Sequence, residues 1–244
     1  MLITSIDNNK IKNLSLLKNN KERNKQKLFL VEGLHLVEEA LKANRLQEII
    51  VLENNEFDIN VPCTYVTNNV MKKLTNMDSI PRIIGVCNIK ENQITGDRII
   101  LLDNIQDPGN LGTIIRSSKA FNIDTIVLSN DTVDLYNDKV IRSTQGMLFN
   151  TNVVKADLFE TINYLKNNNY TILSTNVNNG KEPSNVKVDK YALIMGNEGN
   201  GVNPKLQELA DINLYIPMNK NCESLNVGVA TSIIIYELNR GKYE

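Results

Sequence analysis

Apolar residues fall along this chain in short β-branched runs separated by stretches in which they recur every three or four positions. The runs at Lys27–Val31, Glu48–Leu52 and Ile83–Cys87 predict strands, and the spaced patterns over Gly33–Ala43 and Thr67–Leu74 predict helices. Residues 88–96 (NIKENQITG) are polar and read as a linker. The alternation then resumes, with strands at Arg98–Asp103, Thr125–Leu128, Tyr170–Ser174, Tyr191–Met195 and Ile212–Ile216. Helices are predicted through Arg116 to Phe121, near Asp138–Ser143, and over Asp157–Asn167, Pro204–Leu209 and Asn226–Asn239. Alternating β and α elements with strands apolar on both faces predict an α/β fold built on a mostly parallel, doubly covered sheet. With 244 residues, two domains are expected, 1–90 and 97–244.

Composition excludes more than it selects. A formal net charge of −1 provides no global field for nucleic acid. The first 27 residues differ: Lys10, Lys12, Lys18, Lys21, Arg23, Lys25 and Lys27 face only Asp7 and Glu22. Such a local excess attracts phosphates even on a neutral protein, although a solvated helical arm has the same composition. Cys63, Cys87 and Cys222 are scattered without a C-x-x-C pair, which argues against a disulfide framework or a zinc site; no metal is expected. His35, the single histidine, lies within a helical pattern and reads as structural. The opening MLITSIDNNK has no apolar leader and no run of about 18 apolar residues occurs, so a soluble, cytoplasmic protein without a membrane partner is expected.

Three segments carry the candidate chemistry. In NIQDPGNLGTIIR (104–116), Asp107-Pro108 reads as a helix start, with Asp at the N-cap and Pro at the first helical position. Leu111, Ile114 and Ile115 should face the core, whereas Gly112 and Arg116 share another face on which the glycine leaves room beside the guanidinium. In YALIMGNEGNGV, a strand runs into a turn whose Gly196, Gly199 and Gly201 permit close backbone approach. A dinucleotide loop would need an acidic residue after the next strand, and that region reads Tyr215-Ile216-Pro217-Met218. In IPMNKNCESLNVGVA (216–230), Ser224 or Asn226 can cap a final helix that is apolar on nearly every side. Asn is so frequent in this chain that only whole patterns count.

Together these segments resemble the three signature motifs of the SpoU-type (TrmH-like) RNA 2′-O-ribose methyltransferases of the SPOUT superfamily: N-x-x-D-P-x-N-x-G-x-x-x-R, G-N-E-x-x-G and I-P-M-x-x-x-x-E-S-L-N-V. The resemblance implies a deep trefoil knot within residues 97–244, a fold periodicity alone would never suggest. Residues 1–87 resemble the RNA substrate-binding domain, related to small ribosomal proteins, that often precedes it, with Arg23, Phe29, Glu32 and Gly33 in the expected places. In TVDLYNDKVIRSTQG, Leu135 replaces a proline common among relatives, while Asn137 and Arg142 are kept; this departure bears on loop shape.

The resemblance further implies S-adenosyl-L-methionine as cofactor, gripped by Met195, Gly196, Asn197, Gly201, Ile216, Pro217, Met218, Ser224 and Leu225. It implies a catalytic set of Asn110, Arg116, Glu198, Ser224 and Asn226, RNA contacts from Lys10, Lys12, Arg23 and Arg142, and a homodimer through the last helix. Arg116 is either the base or a phosphate clamp and oxyanion stabiliser; a guanidinium pKa of about 12 or more favours the clamp. Glu198 reads as pinning its turn rather than as a base. The expected substrate is ribosomal RNA, specifically 23S; transfer RNA, a non-catalytic RNA-binding factor, a resistance methyltransferase and an oxidoreductase are the competing readings. The oxidoreductase fails at the missing ribose-binding carboxylate and at the absence of a catalytic His or Tyr–Lys spacing.

Overall fold

A computed structural model describes residues 2–176, 179–197 and 199–241. Two compact units emerge: residues 1–90 with 134–149, and residues 91–133 with 150–244.

The first unit opens with β1 (Leu2–Ile3), α1 (Asn9–Leu16), α2 (Asn20–Gln26), β2 (Leu28–Glu32), α3 (Leu34–Lys42), β3 (Leu46–Leu52), β4 (Cys63–Val66), α4 (Asn68–Leu74) and β5 (Ile83–Asn88). Its sheet runs β1-β4-β3-β5-β2. It is mixed: β1, β4 and β3 are parallel, whereas β5 is antiparallel to both neighbours. Alternation along the strands sends Ile50, Ile84 and Val86 toward Ile11, Leu14, Val70 and Met71 of α1 and α4. The opposite residues Phe29, Val31, Ile49 and Ile83 meet Leu36, Val37 and Ala40 of α3.

The chain continues with β6 (Arg98–Leu102), α5 (Pro108–Ala120) and β7 (Thr125–Leu128), then α6 (Asp138–Ser143), β8 (Val153–Lys155), α7 (Leu158–Asn167), β9 (Thr171–Thr175), β10 (Tyr191–Met195), α8 (Pro204–Gln207), β11 (Ile212–Leu214) and α9 (Val227–Asn239). The six-stranded sheet of the second unit is ordered β11-β9-β10-β6-β7-β8 and is parallel throughout. RIILL, TIVL and YALIM are buried almost to the last residue, as central parallel strands covered on both faces require. Ile99, Leu101, Ala192 and Ile194 pack with Leu158, Ile162 and Leu165 of α7. Tyr191 points the other way and donates its hydroxyl to Asn239 Oδ1 of α9 (3.1 Å).

The sequence boundary between the domains needs correction. Residues 134–149, assigned by sequence to the second domain, pack in the first unit. Tyr136 and Phe149 stack around Phe29, with ring centroids at 4.6 and 6.1 Å, and Ile141 and Leu148 join the same core. Arg23, expected as an RNA contact, is only 7% exposed. Its guanidinium donates to the carbonyls of Leu17 (2.7 Å) and Lys18 (2.9 Å) and forms a salt bridge with Asp134 of the returning segment. α2 (NKERNKQ) has no apolar face, so this arginine is what fastens it to the unit. Breaking a buried pair strands the partner charge, and Arg23→Ala is expected to lower stability by about 3 kcal/mol, read from the urea midpoint. A change below about 0.5 kcal/mol, typical of an exposed charge, contradicts this role.

Candidate active site

The three motif segments meet at the C-terminal ends of the parallel strands, where α/β sheets bind ligands. Just beyond β6, Asn104 adopts a left-handed conformation (φ 57°), which aims its carbonyl at the second motif. That carbonyl accepts a hydrogen bond from Asn197 Nδ2 (2.8 Å), and Asp103 Oδ2 accepts one from Asn203 N (2.8 Å). After β10, Asn197 and Gly201 pair through both backbone groups at 2.9 Å, closing a tight turn. Gly196 is required there: a Cβ on it would stand 2.1 Å from the Gly201 carbonyl carbon. Glu198, in the same turn, lies outside the described residues.

The third segment is fixed by Asn226, the N-cap of α9, whose Oδ1 accepts from Gly228 N (2.9 Å) and Val229 N (3.2 Å). Its Nδ2 donates to Asn110 Oδ1 at 2.7 Å. Asn110 sits in the first turn of α5, where its backbone N–H donates to the capping Asp107 carboxylate at 2.8 Å. Farther along, Ser117 and Ser232 share a 2.6 Å hydrogen bond between the same two helices. Two helix starts from distant parts of the sequence are thus locked side by side.

The second and third segments, with the ends of β9 and β11, line a cavity of about 530 Å³, within the usual range of about 300–1,000 Å³ for small-molecule sites. Of the expected cofactor residues, Met195, Gly196, Asn197, Gly201, Ile216, Met218, Ser224 and Leu225 line it, whereas Pro217 does not. Asn226 lines it as well, and through Asn226 the acceptor side at Asn110 is connected. Arg116 lies two turns along α5, exposed and without a hydrogen bond or ion pair to any described residue. Gly112 is buried rather than open, so the space beside Arg116 comes from the helix surface and not from this glycine.

The expected RNA contacts lie in the first unit, and most are engaged there. Lys10 pairs with Glu48 (2.5 Å) and donates to Thr64 (2.9 Å), and Arg142 pairs with Asp138 (3.1 Å). Lys12 pairs with Asp7 at 3.0 Å on the surface, an interaction weak enough to yield to a phosphate. His35, also in this unit, is exposed, with Nε2 3.2 Å from the Gln145 carbonyl oxygen. Cys87 is buried, which pushes its thiol up to about 12, and no cysteine among the described residues is in a disulfide. No cluster of metal-ligating side chains occurs among the described residues.

Sequence reasoning missed part of the cavity wall: Thr175, Asn176, Gln207, Leu214, Glu223 and Ala230 also line it. Thr175 ends the parallel strand β9 and Asn176 follows it, and the strand-end rule applied to β9 would have found them.

Residues 97–236 match the SpoU rRNA Methylase family, and residues 8–85 match the MRM3-like substrate binding domain. The chain belongs to the SpoU rRNA methylase family. Among its relatives is the 23S rRNA (guanosine(2553)-2'-O)-methyltransferase RlmP of Bacillus subtilis, 37% identical over 243 residues that cover 97% of this chain and 98% of that protein. A crystal structure of an RNA 2'-O ribose methyltransferase covers 100% of both chains with a TM-score of 0.84 at 28% identity. An AdoMet-bound rRNA methyltransferase from Sinorhizobium meliloti aligns over 98% of this chain and 97% of its own, with a TM-score of 0.86 and 25% identity.

The turn geometry separates two glycines. Gly196→Ala forces backbone against backbone and is expected to cost about 1–3 kcal/mol in urea unfolding. Gly199→Ala, whose Cβ meets only Asn197 Oδ1 at 3.5 Å, should stay within about 0.5 kcal/mol. Equal effects would show that the turn is not set by this close approach.

Proposed function

We propose that this protein is an S-adenosylmethionine-dependent 2′-O-ribose methyltransferase acting on 23S ribosomal RNA. The observation that carries the reading is the cavity lined by the second and third motif segments, with Asn226 of its wall joined by a hydrogen bond to Asn110 of the first. The cavity suits the cofactor: Ile216, Met218, Leu225 and Ala230 offer apolar surface for a purine, and Asn176, Asn197, Ser224 and strand-end backbone groups offer polar contacts. The relative that spans nearly the whole chain favours ribosomal over transfer RNA, since the match includes the substrate-binding half.

S-adenosylmethionine held by Met195, Gly196, Asn197, Ile216, Met218 and Leu225 would supply an electrophilic methyl group for the ribose 2′-hydroxyl, whose proton would pass to solvent water. The protein's part is chiefly to hold the ribose oxygen in line, which supplies much of the rate. Asn110, fixed by Asn226, orients the hydroxyl together with Ser224. Arg116, which pairs with no described residue, clamps the adjoining phosphate and stabilises the developing oxyanion. Lys10, Lys12 and Arg142 of the first unit contribute phosphate contacts.

The second unit is threaded as a trefoil knot in this reading. Its strand order supports that: the chain steps outward through β6, β7 and β8, returns across the sheet to β9, and inserts β10 between β9 and β6. A density-traced chain path with α9 outside any loop contradicts the knot. The protein acts in the cytoplasm as a homodimer through α9, where Val229, Ile233 and Tyr236 line one face at 46, 37 and 41% exposure. Light scattering at micromolar concentration should give twice the chain mass; a monomer contradicts it.

Arg116→Ala is expected to lower single-turnover methylation by at least about 100-fold, as for loss of an oxyanion-stabilising donor, with cofactor affinity changed less than about three-fold. Near-normal transfer would remove Arg116 from the mechanism. Lys12→Ala should reduce the slope of log affinity for RNA against log salt by about one unit, and an unchanged slope would take Lys12 out of the RNA contact.

A further inference from the structure

Among the described residues that line the cavity, Glu223 alone is ionisable. It precedes Ser224 in the segment that leads to the N-cap Asn226, and its side chain is exposed to the cavity's solvent rather than bound up in an ion pair with a described residue. The other described polar groups of the wall are carboxamides, hydroxyls and backbone. A carboxylate among neutral groups adds little to binding a neutral ligand. It matters for one that carries a positive charge.

S-adenosylmethionine has a sulfonium, and its demethylated product has a neutral thioether in the same place. The two differ by one methyl group and one unit of positive charge. We infer that Glu223 is a specificity-determining residue of this cavity that favours the sulfonium form over the thioether product through charge. The inference rests on the cofactor reading above. The transfer step itself removes the charge Glu223 recognises, so product is held less tightly than substrate. The effect is modest, because the side chain is solvated: unit charges about 4 Å apart in water interact by roughly one decade or less in affinity. It is also screened by salt.

The test is calorimetric binding of S-adenosylmethionine, S-adenosylhomocysteine and sinefungin, whose amine carries a positive charge where the sulfonium sits, to the wild-type chain and to Glu223→Gln. The variant keeps the size of the side chain at an exposed position and removes only its charge. Affinity for the two cationic ligands should fall about three- to ten-fold while that for S-adenosylhomocysteine changes less than two-fold, and Glu223→Asp should keep most of the preference. Raising the salt should erode the preference in the wild type and not in Glu223→Gln. Equal losses for all three ligands, or no loss, overturn the inference. So does a preference that survives Glu223→Gln and disappears in Glu198→Gln, which would assign the charge to the neighbouring turn. If the wild type binds none of the three ligands, the cofactor reading itself fails and this inference falls with it.

Discussion

The carboxamide of Asn226 works at both ends. Its oxygen caps α9 by accepting from Gly228 and Val229, and its nitrogen donates to Asn110 at the start of α5. One side chain therefore satisfies the first turn of the last helix and fixes that helix against an element more than a hundred residues earlier. Replacing it with aspartate would keep the cap but abolish the donor to Asn110. An N-cap alone contributes about 1 kcal/mol, so the constraint is less about stability than about register between two helix starts. Asn197 does the corresponding work between the first and second segments, through Asn104. These two asparagines, both in the cavity wall, tie its two lining segments to the first motif segment.

That dependence explains what could be read in advance. Parallel strands buried on both faces are near-continuous apolar runs, and RIILL, TIVL and YALIM stand out without any knowledge of tertiary contacts. The capped start of α5 was equally legible, since Asp107-Pro108 is a local signal and Asp107 does accept from Asn110 N. The cavity residues lay in whole patterns rather than in single positions, and that is why eight of the nine expected cofactor contacts line it. The strands β4 (CTYV) and β8 (VVK) escaped: both are short and lack the continuous apolar run that marks the equally short β7 (TIVL). The strand β5 was legible but its antiparallel direction was not, because strand direction is set by the connections and not by the side chains of IIGVCN.

Charge was the least legible property. A lysine- and arginine-rich opening looks like a phosphate-binding arm, yet Arg23 is buried against Asp134, Leu17 and Lys18. Nothing local to NKERNKQ reveals a partner 111 residues away. The same long-range contact carries residues 134–149 into the first unit, so the core around Phe29 is completed by chain from beyond the linker. Domain boundaries drawn from composition assume that each unit is continuous, and here it is not.

The central claim is that the cavity delivers a methyl group to a ribose hydroxyl of ribosomal RNA. The most direct measurement incubates the purified protein with methyl-labelled S-adenosylmethionine and unmodified ribosomal RNA, followed by nucleoside mass spectrometry of the product. The account predicts label on the 2′ oxygen of a single nucleotide, and none on transfer RNA treated in the same way. Label on a base, or no transfer by a protein that binds the cofactor, contradicts it.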